Sequence, residues 1–145
     1  MKVIAQTAAL AEALNVTGSI VPARTPKPVL QCVKLIAADG MLTIMSTDLE
    51  AGCRYQVAAV QIEQAGEALV PAARLAGIVR ESNDEESLVL ETDKEACHVR
   101  GASSHFNVFG FDPAEYPAVS EFSEPADFQI SANVLASMVN KTLFA

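Results

Sequence analysis

The sequence predicts an α+β fold made of two similar halves. A short apolar strand followed by an amphipathic helix begins at three points, residues 2, 67 and 127, so the spacing is 65 and then 60 residues. Recurrence at a nearly constant period indicates duplicated structural units. Alternating apolar and polar residues follow each of the first two helices, which is typical of antiparallel strands. We therefore expect two pseudo-symmetric strand–helix–strand halves, with two helices on the inner face and antiparallel sheets outside.

The first half opens with the strand pattern Lys2–Gln6, followed by a helix over residues 7–16. The Thr7 hydroxyl can accept a hydrogen bond from a free backbone N–H, which predicts that Thr7 is the N-cap. Gly18 is a typical helix terminator. The prolines of residues 21–28 exclude a helix there, because each removes a backbone donor and favours an extended conformation in the residue before it.

Strand patterns fill the rest of the first half. Apolar residues alternate over residues 29–37, 42–44 and 53–57. Asp39-Gly40 separates the first two of these segments and is a strong signal for a tight hairpin turn. The sequence therefore predicts an antiparallel meander attached to the first helix.

The second half repeats the same order. The strand pattern Glu67–Val70 leads to Pro71, whose missing N–H costs nothing in the first turn of a helix. Leu75, Ile78 and Val79 then form an apolar helical stripe. Three further strand patterns follow, and they are Leu88–Glu91, Cys97–Arg100 and Phe106–Phe109.

The third copy follows a segment that is rich in proline and acidic residues, residues 112–125. Such a composition predicts an exposed linker between domains. The copy itself reads as a strand over Asp127–Ile130, then Ser131 and a helix. The apolar stripe of that helix consists of Val134, Leu135, Met138 and Val139.

The charge of the chain is acidic but unevenly distributed. The net charge is −8 over 145 residues, and such a balance taken alone argues against a nucleic-acid-binding protein. Residues 81–95 contribute −6, however, whereas residues 1–80 contribute +1 and residues 96–145 contribute −3. An acidic rim can therefore coexist with a neutral or locally basic face.

The cysteine content and the hydropathy favour a cytoplasmic protein. Cys32, Cys53 and Cys97 are widely spaced and form no CxxC pair, so the sequence predicts reduced thiols and no zinc site. The N-terminus carries a single basic residue and lacks the pattern of a signal peptide. No apolar stretch approaches the length of a membrane span, so no membrane partner is expected.

The sequence contains no constellation that predicts catalysis. It has no phosphate-binding glycine loop, no nucleophile elbow and no metalloprotease motif, and no cofactor is expected. The enzymatic alternative is a small metal-dependent hydrolase that uses Asp39, Asp48 and Glu50. A turn role for Asp39 and a capping role for Asp48 explain these residues more simply. His98 and His105 lie seven residues apart, and an odd separation would put them on opposite faces of one continuous strand. Gly101 is expected to break that strand, so a metal pair is a minor alternative.

Four basic residues remain as candidates for contact with an acidic partner. Arg24 and Lys27 lie on the proline-rich loop, and Arg74 and Arg80 lie on the second helix. A six-residue separation places the last two roughly 120° apart around the helix axis. On these grounds alone, a solvated surface explains the four residues better than contact with DNA does.

Four stretches of sequence, taken together, carry a more specific pattern. They are residues 21–35 (VPARTPKPVLQCVKL), 38–50 (ADGMLTIMSTDLE), 69–80 (LVPAARLAGIVR) and 106–119, which contains the FDPAEYP motif. They occur in order and cover nearly the whole chain. In this combination the sequence resembles the N-terminal domain of the bacterial DNA polymerase III β subunits, the sliding clamps.

The resemblance implies a DNA-clamp fold and a function without catalysis. Members of the family have three similar domains, and two chains close head to tail into a ring around duplex DNA. The helices line the hole, the sheets form the outside, and the ring tethers the polymerase as a processivity factor in DNA replication. The implied partners are duplex DNA, a second copy of the full-length chain, and the polymerase III α subunit and clamp loader, which bind the other domains.

The resemblance also implies roles for particular residues of this chain. The residues implied to face DNA are Arg24, Lys27, Arg74 and Arg80. The residues implied at the ring interface are Arg74, Ile78, Phe106 and Val108, with Phe106 and Val108 on an unpaired sheet edge. Ser103 and His105 stand where some members of the family place basic interface residues.

The resemblance divides the chain into two parts. Residues 1–124 are expected to form the N-terminal clamp domain, and residues 125–145 the first strand and helix of a truncated second domain. Family chains are more than twice as long as this one, so we expect that this chain alone does not close a ring. Its last helix is expected to be disordered, or docked on a surface that it would not meet in an intact ring.

Overall fold

The computed structural model describes residues 1–93, 96–121 and 126–143. Within them the chain forms nine strands and three α-helices. In chain order these are β1 (Lys2–Gln6), α1 (Thr7–Gly18), β2 (Cys32–Ala38), β3 (Met41–Thr47), β4 (Gly52–Val57), β5 (Val60–Gln64), β6 (Gly66–Pro71), α2 (Ala72–Glu81), β7 (Ser87–Asp93), β8 (Ala96–Arg100), β9 (His105–Phe109) and α3 (Ala132–Thr142). The predicted α+β class and the order of the first two units are confirmed.

The strands form two antiparallel sheets, and the two halves exchange their first strands. One sheet has the order β5-β1-β7-β8-β9, and the other has the order β4-β3-β2-β6. Strand β1 therefore pairs with β7 of the second half, and β6 pairs with β2 of the first half. Each sheet is completed by a strand from the other half, so neither half is a separate folding unit.

The paired rows of residues make the pseudo-symmetry explicit. Across one sheet, Val3 is opposite Leu90, Leu90 opposite Val99, and Val99 opposite Phe106. The equivalent row of the other sheet runs through Ala68, Leu35, Ile44 and Tyr55. In the five-stranded sheet, β5 pairs with the outer side of β1. At the equivalent position of the other sheet, beside β6, the described part of the chain has only a single bridge, between Phe111 and Leu69.

The two helices α1 and α2 pack on each other and on the sheets through their apolar stripes. Leu10 and Leu14 of α1 are buried, as are Leu75 and Val79 of α2, and all four belong to one core shared with both sheets. Burial of a side chain of this size contributes about 1.5–3 kcal/mol. The helices therefore owe their position to one continuous core, which sets which of their residues remain exposed.

The start of α1 differs from the prediction. Gln6 is the N-cap and makes no capping hydrogen bond through its side chain, whereas Thr7 is the first helical residue. Thr7 is buried, and its hydroxyl has no hydrogen-bond partner among the described residues. The prediction of a Thr7 N-cap was wrong because the helix already includes Thr7, whose backbone N–H donates to the Glu86 carbonyl (3.0 Å) in a tertiary contact.

The end of α1 lies two residues beyond the predicted Val16, because one hydrogen bond within the helix and one from β3 support an extra half-turn. The Thr17 hydroxyl donates to the Ala13 carbonyl (2.8 Å), and the buried Ser46 hydroxyl donates to the Thr17 carbonyl (2.7 Å). Ser46 thus satisfies one of the carbonyls that a helix C-terminus leaves open. Gly18 ends the helix as its last residue.

The hairpin turn between β2 and β3 is confirmed, whereas one strand was not predicted. Asp39 and Gly40 have φ values of 52° and 75°, as a two-residue turn with both central φ values positive requires. The missed strand is β5, which pairs with β1 and has mostly exposed or half-buried residues. Its weak apolar pattern gave no signal at the sequence level.

The segment predicted to be an exposed linker is partly docked on the four-stranded sheet. The Phe111 N–H donates to the Leu69 carbonyl (3.0 Å), and Tyr116 is only 7% exposed. Tyr116 packs with Cys32 and Leu69 in a second, smaller apolar cluster. The linker prediction was therefore wrong for this part of the segment, because one aromatic residue ties it to the sheet. Residues 122–125 of the predicted linker lie outside the described residues.

The third copy forms its helix but not its strand. Residues 127–130 are not part of a sheet, because no described strand pairs with them and an isolated strand has unpaired backbone groups. The Ser131 hydroxyl caps α3 by accepting from the Val134 N–H (3.4 Å). All of α3 is exposed, including its apolar stripe, so the helix is not docked on any surface of the described residues.

No described helix is long and apolar enough to cross a membrane.

Candidate functional site

The lysine and arginine side chains of residues 1–93 and 96–121 fall into two groups according to their partners. Four of them form salt bridges on the sheets, and each of the four lies on a strand. The pairs are Lys2–Glu63 (2.8 Å), Lys34–Glu67 (2.7 Å), Arg54–Glu121 (3.0 Å) and Arg100–Glu91 (3.0 Å). The hydrogen bond that Lys2 donates to Glu63 raises the pKa of Lys2, which keeps that pair charged. The positive charge of the sheets is therefore neutralised locally.

The second group consists of the four residues implied to face DNA. Arg24, Lys27, Arg74 and Arg80 are exposed. None of them takes part in a salt bridge within residues 1–93, 96–121 and 126–143. All four lie on the proline-rich loop or on α2, and none lies on a strand. The loop and helix side of the domain therefore carries uncompensated positive charge, although the chain as a whole is acidic.

The structure brings the proline-rich loop against the start of α2. A groove of about 430 Å³ lies between them, and its lining includes Pro22 and Ala23 of the loop and Ala73 of α2. Gln31 fixes the loop by donating a side-chain hydrogen bond to the Ala23 carbonyl (3.1 Å). Arg24 and Arg74 are the next residues in the chain after Ala23 and Ala73, which line this groove. Arg80 lies about 9 Å farther along the helix axis.

The first helix contributes no positive charge to this side. Its sequence, TAALAEALNVTG, contains no lysine or arginine and one acidic residue, Glu12. A hydrogen bond with Glu12 raises the pKa of Tyr55 on the neighbouring strand β4. The positive charge of the helix side is therefore confined to the loop and α2, and it consists of a few separated side chains.

A second groove gathers the four residues implied at the ring interface. It has a volume of about 430 Å³, lies between α2 and β9, and is lined by Ala73, Arg74, Gly77, Ile78, Glu81, Phe106, Asn107 and Val108. Strand β9 is the last strand of its sheet, so its outer backbone groups are available for pairing. An edge strand beside a groove is a suitable surface for adding a strand from another chain.

The two apolar residues of this edge differ in exposure. Phe106 is 38% exposed, whereas Val108 is 2% exposed and belongs to the main core. Val108 cannot supply an exposed apolar contact, because its side chain is already covered by the domain itself. The apolar surface of the groove is therefore provided by Phe106 and the half-buried Ile78. Residue spacing alone could not reveal this difference, and Glu81 of the groove was not predicted.

The three acidic residues of the hydrolase alternative do not form a site. Asp39 lies in the turn before β3, whereas Asp48 and Glu50 lie beyond its other end, and a seven-residue strand spans about 23 Å. The Asp48 carboxylate accepts hydrogen bonds from the backbone N–H groups of Ala51 (2.7 Å) and Glu50 (2.9 Å), and these bonds lower its pKa. Among the described residues, no group of three or more His, Cys, Asp and Glu could hold a metal. The alternative has no support.

Comparison with known proteins identifies the family. Residues 1–120 match the family described as DNA polymerase III beta subunit, N-terminal domain. The beta sliding clamp of Streptomyces coelicolor is 34% identical over 145 residues, which is all of this chain and 38% of that protein. The beta sliding clamp of Rickettsia felis is 28% identical with the same coverage.

Solved structures agree with this result. The DNA polymerase sliding clamp of Bacillus subtilis has a TM-score of 0.92 at 25% identity, over all of this chain and 40% of that one. The DNA polymerase III subunit beta sliding clamp of Bartonella birtlesii gives 0.90 at 28% identity with the same coverage. The chain thus spans about two fifths of the length of its relatives. By its sequence and its fold, the chain belongs to the DNA polymerase III beta subunit family and matches the N-terminal domain of that family.

Proposed function

We propose that this chain functions in DNA replication as part of a sliding clamp, a processivity factor that surrounds duplex DNA and tethers the replicative polymerase. In this proposal α1 and α2 face the DNA and the two sheets form the outside of the ring. The domain acts by enclosure and performs no chemistry, so it needs no catalytic residue. A protein that surrounds bacterial DNA would work in the cytoplasm.

The observation that carries this proposal is the division of positive charge between the two sides of the domain. Every lysine and arginine that lies on a described strand is paired with a carboxylate. Arg24, Lys27, Arg74 and Arg80 lie on the other side without such partners. An acidic chain can therefore offer phosphates a locally positive surface while its outside stays neutral or negative.

The small number and the spacing of these four side chains suit a clamp that slides. Contacts to phosphates position a protein on DNA but carry no sequence information. A few exposed, solvated contacts bind weakly and can be exchanged from one phosphate to the next. Retention on DNA would then come from the closed ring, and the four residues would keep the duplex centred.

We also propose that the groove between α2 and β9 is one side of the head-to-tail interface with a second full-length chain. The exposed edge of β9 would pair with a strand of the partner. Phe106 and Ile78 would supply apolar contact, and Arg74 and Glu81 would supply charged contact at its rim. The polymerase III α subunit and the clamp loader would bind other domains of the assembly.

We propose a domain division at about residue 124. Residues 1–124 would form the N-terminal clamp domain, and residues 125–145 would belong to a second domain. The family match over residues 1–120 supports this division. The exposed apolar stripe of α3 supports it as well, since such a stripe normally packs against a sheet of its own domain.

The experiment that tests the DNA-facing role is a salt titration of duplex binding by this chain, followed by fluorescence anisotropy. Each phosphate contact contributes about −0.9 to the slope of log K, the binding constant, against log salt concentration. Four contacts therefore predict a slope no steeper than about −3.6. Replacement of Arg24 or Arg80 by Ala should reduce the magnitude of the slope by about 0.9 each.

The matched control is Arg100→Ala, which makes the same change of charge on the sheet side. Because Arg100 is paired with Glu91, its loss should leave the slope unchanged. An equal effect of Arg100→Ala and Arg24→Ala would contradict the assignment of the DNA-facing side. Binding tighter than about 1 μM at physiological salt would contradict retention by enclosure, since non-specific contacts of this number bind more weakly.

A further inference from the structure

We propose that His98 and His105 form a two-imidazole binding site for a divalent transition-metal ion of the zinc, nickel and copper class. The site lies on the outer face of the five-stranded sheet, across β8 and β9. It is separate from the loop and helix side and does not depend on the proposed function.

The register of the hairpin brings the two histidines together. His98 is directly opposite Asn107, and Arg100 is directly opposite His105, so the two histidines are diagonal neighbours on the same face. That face is the outer one, because the alternate residues Cys97, Val99 and Val108 are buried in the core. The two ring centroids are 5.6 Å apart, and the ring planes are tilted by 37°.

This separation suits coordination of one metal ion by both rings. With a metal–nitrogen distance of about 2.1 Å, the metal lies about 3.2 Å from each ring centroid. At a tetrahedral angle the two centroids would then be about 5.3 Å apart. The observed 5.6 Å is within a few tenths of an ångström of this value, so one ion is within reach of both rings once rotation of the side chains turns a nitrogen of each toward it.

Asn107 already holds one ring in the form that binds metals. The His98 Nδ1–H donates a hydrogen bond to the Asn107 amide oxygen (2.6 Å). Because an amide oxygen can only accept, Nδ1 carries a proton, and in the neutral ring the lone pair is then on Nε2. A metal-binding histidine typically donates its second N–H in this way, which fixes its tautomer and ring orientation.

The neighbouring charges determine the composition of the site. Glu91 is opposite His98 on β7, but it is paired with Arg100 (3.0 Å), so it is already neutralised. The site would therefore consist of two imidazoles, with water at the remaining positions. Imidazole nitrogen favours zinc, nickel and copper, whereas magnesium and calcium prefer oxygen.

Binding would connect the edge strand β9 to β8. A ligand that binds only the folded chain stabilises it in proportion to the occupancy of the site. Metal binding would therefore hold in place the strand whose free edge borders the groove between α2 and β9. The loop of residues 101–104, which joins the two strands, would be closed at its base.

The test is isothermal titration calorimetry of the chain without an affinity tag, with Ni²⁺ as the probe. We expect saturable binding of one ion per chain and no saturable binding of Mg²⁺. His98→Gln and His105→Gln should each weaken binding by at least about 10-fold, and Asn107→Ala by about 10-fold through the loss of ring orientation. Cys53→Ser, which removes the half-buried thiol, should leave the affinity unchanged.

A second measurement needs no variant. Sub-stoichiometric Ni²⁺ should broaden the ring proton signals of both histidines before it affects any other side chain in the NMR spectrum. Absence of saturable binding, or binding that both histidine variants retain at full strength, would overturn the proposal. An unchanged affinity in Asn107→Ala would overturn the positioning role of Asn107.

Discussion

Replacement of Tyr116 by Phe removes one hydroxyl that joins three segments of the chain. This hydroxyl accepts a hydrogen bond from the Thr47 N–H (3.0 Å) at the end of β3 and donates one to the Cys32 carbonyl (3.3 Å) at the start of β2. Burial raises the pKa of Tyr116, so the hydroxyl stays protonated and can donate. Phe preserves the ring and its packing, and the change therefore isolates the two hydrogen bonds.

The expected loss follows from the groups that remain without partners. Thr47 and Cys32 are both buried, and Pro71, which is opposite Cys32 in the ladder, has no N–H to offer. An unsatisfied buried polar group costs about 1–3 kcal/mol, and a buried N–H is the more costly of the two. We therefore expect the free energy of unfolding to fall by about 2 kcal/mol in total. In a chain of this size the melting temperature would decrease by about 6 °C.

Urea denaturation and thermal melting followed by circular dichroism measure this loss, and the second tyrosine provides the control. Tyr55→Phe makes the same chemical change at a hydroxyl that is hydrogen-bonded to Glu12 on the protein surface. We expect this control to lower the free energy of unfolding by less than about 0.5 kcal/mol. If Tyr116→Phe is no more destabilising than Tyr55→Phe, the hydroxyl does not anchor the segment that follows β9.

Two further predictions concern a buried thiol and the free sheet edge. Burial raises the pKa of Cys97 from 9.0 to about 11, so the unfolded chain loses this proton first as the pH rises. The free energy of unfolding should therefore decrease between pH 9 and 11, by about 1 kcal/mol per pH unit from this group near pH 10. Cys97→Ala should remove that part of the slope in urea titrations, and an identical slope would refute the assignment. At the edge of β9, Phe106→Lys should abolish a concentration-dependent association measured by light scattering. The control Phe128→Lys alters an exposed aromatic residue outside both sheets and should leave the association intact. A strictly monomeric wild-type chain at high concentration would show that the edge is protected.

Local signals predicted most of the fold because each of them depends on a few neighbouring residues. Asp39-Gly40 specifies its own turn, and the apolar stripes of α1 and α2 specify which faces are buried. The exchange of β1 and β6 between the halves depends on pairing across the whole chain, so no local pattern reveals it. Most side chains of the edge strand β5 are exposed or half-buried, so its sequence lacks the apolar alternation that predicts a strand.

The functional surfaces were predictable only in part. Resemblance to the family identified Arg24 and Arg80. That they have no carboxylate partner among the described residues, unlike the lysines and arginines on the strands, could be seen only in the structure. The burial of Val108 and the approach of His98 to His105 both follow from the register of β8 and β9. That register depends on a turn with no strong sequence signal, so neither property could be predicted from spacing.

The most direct measurement of the central claim is an NMR titration of the isotope-labelled chain with short duplex DNA at low salt. The claim is that α1, α2 and the proline-rich loop face DNA while the sheets face outward. It predicts that amide shifts are confined to α1, α2 and residues 22–31, with the strand residues Lys2, Arg54 and Arg100 unaffected. Shifts centred on the strands, or spread equally over both sides of the domain, would contradict the claim.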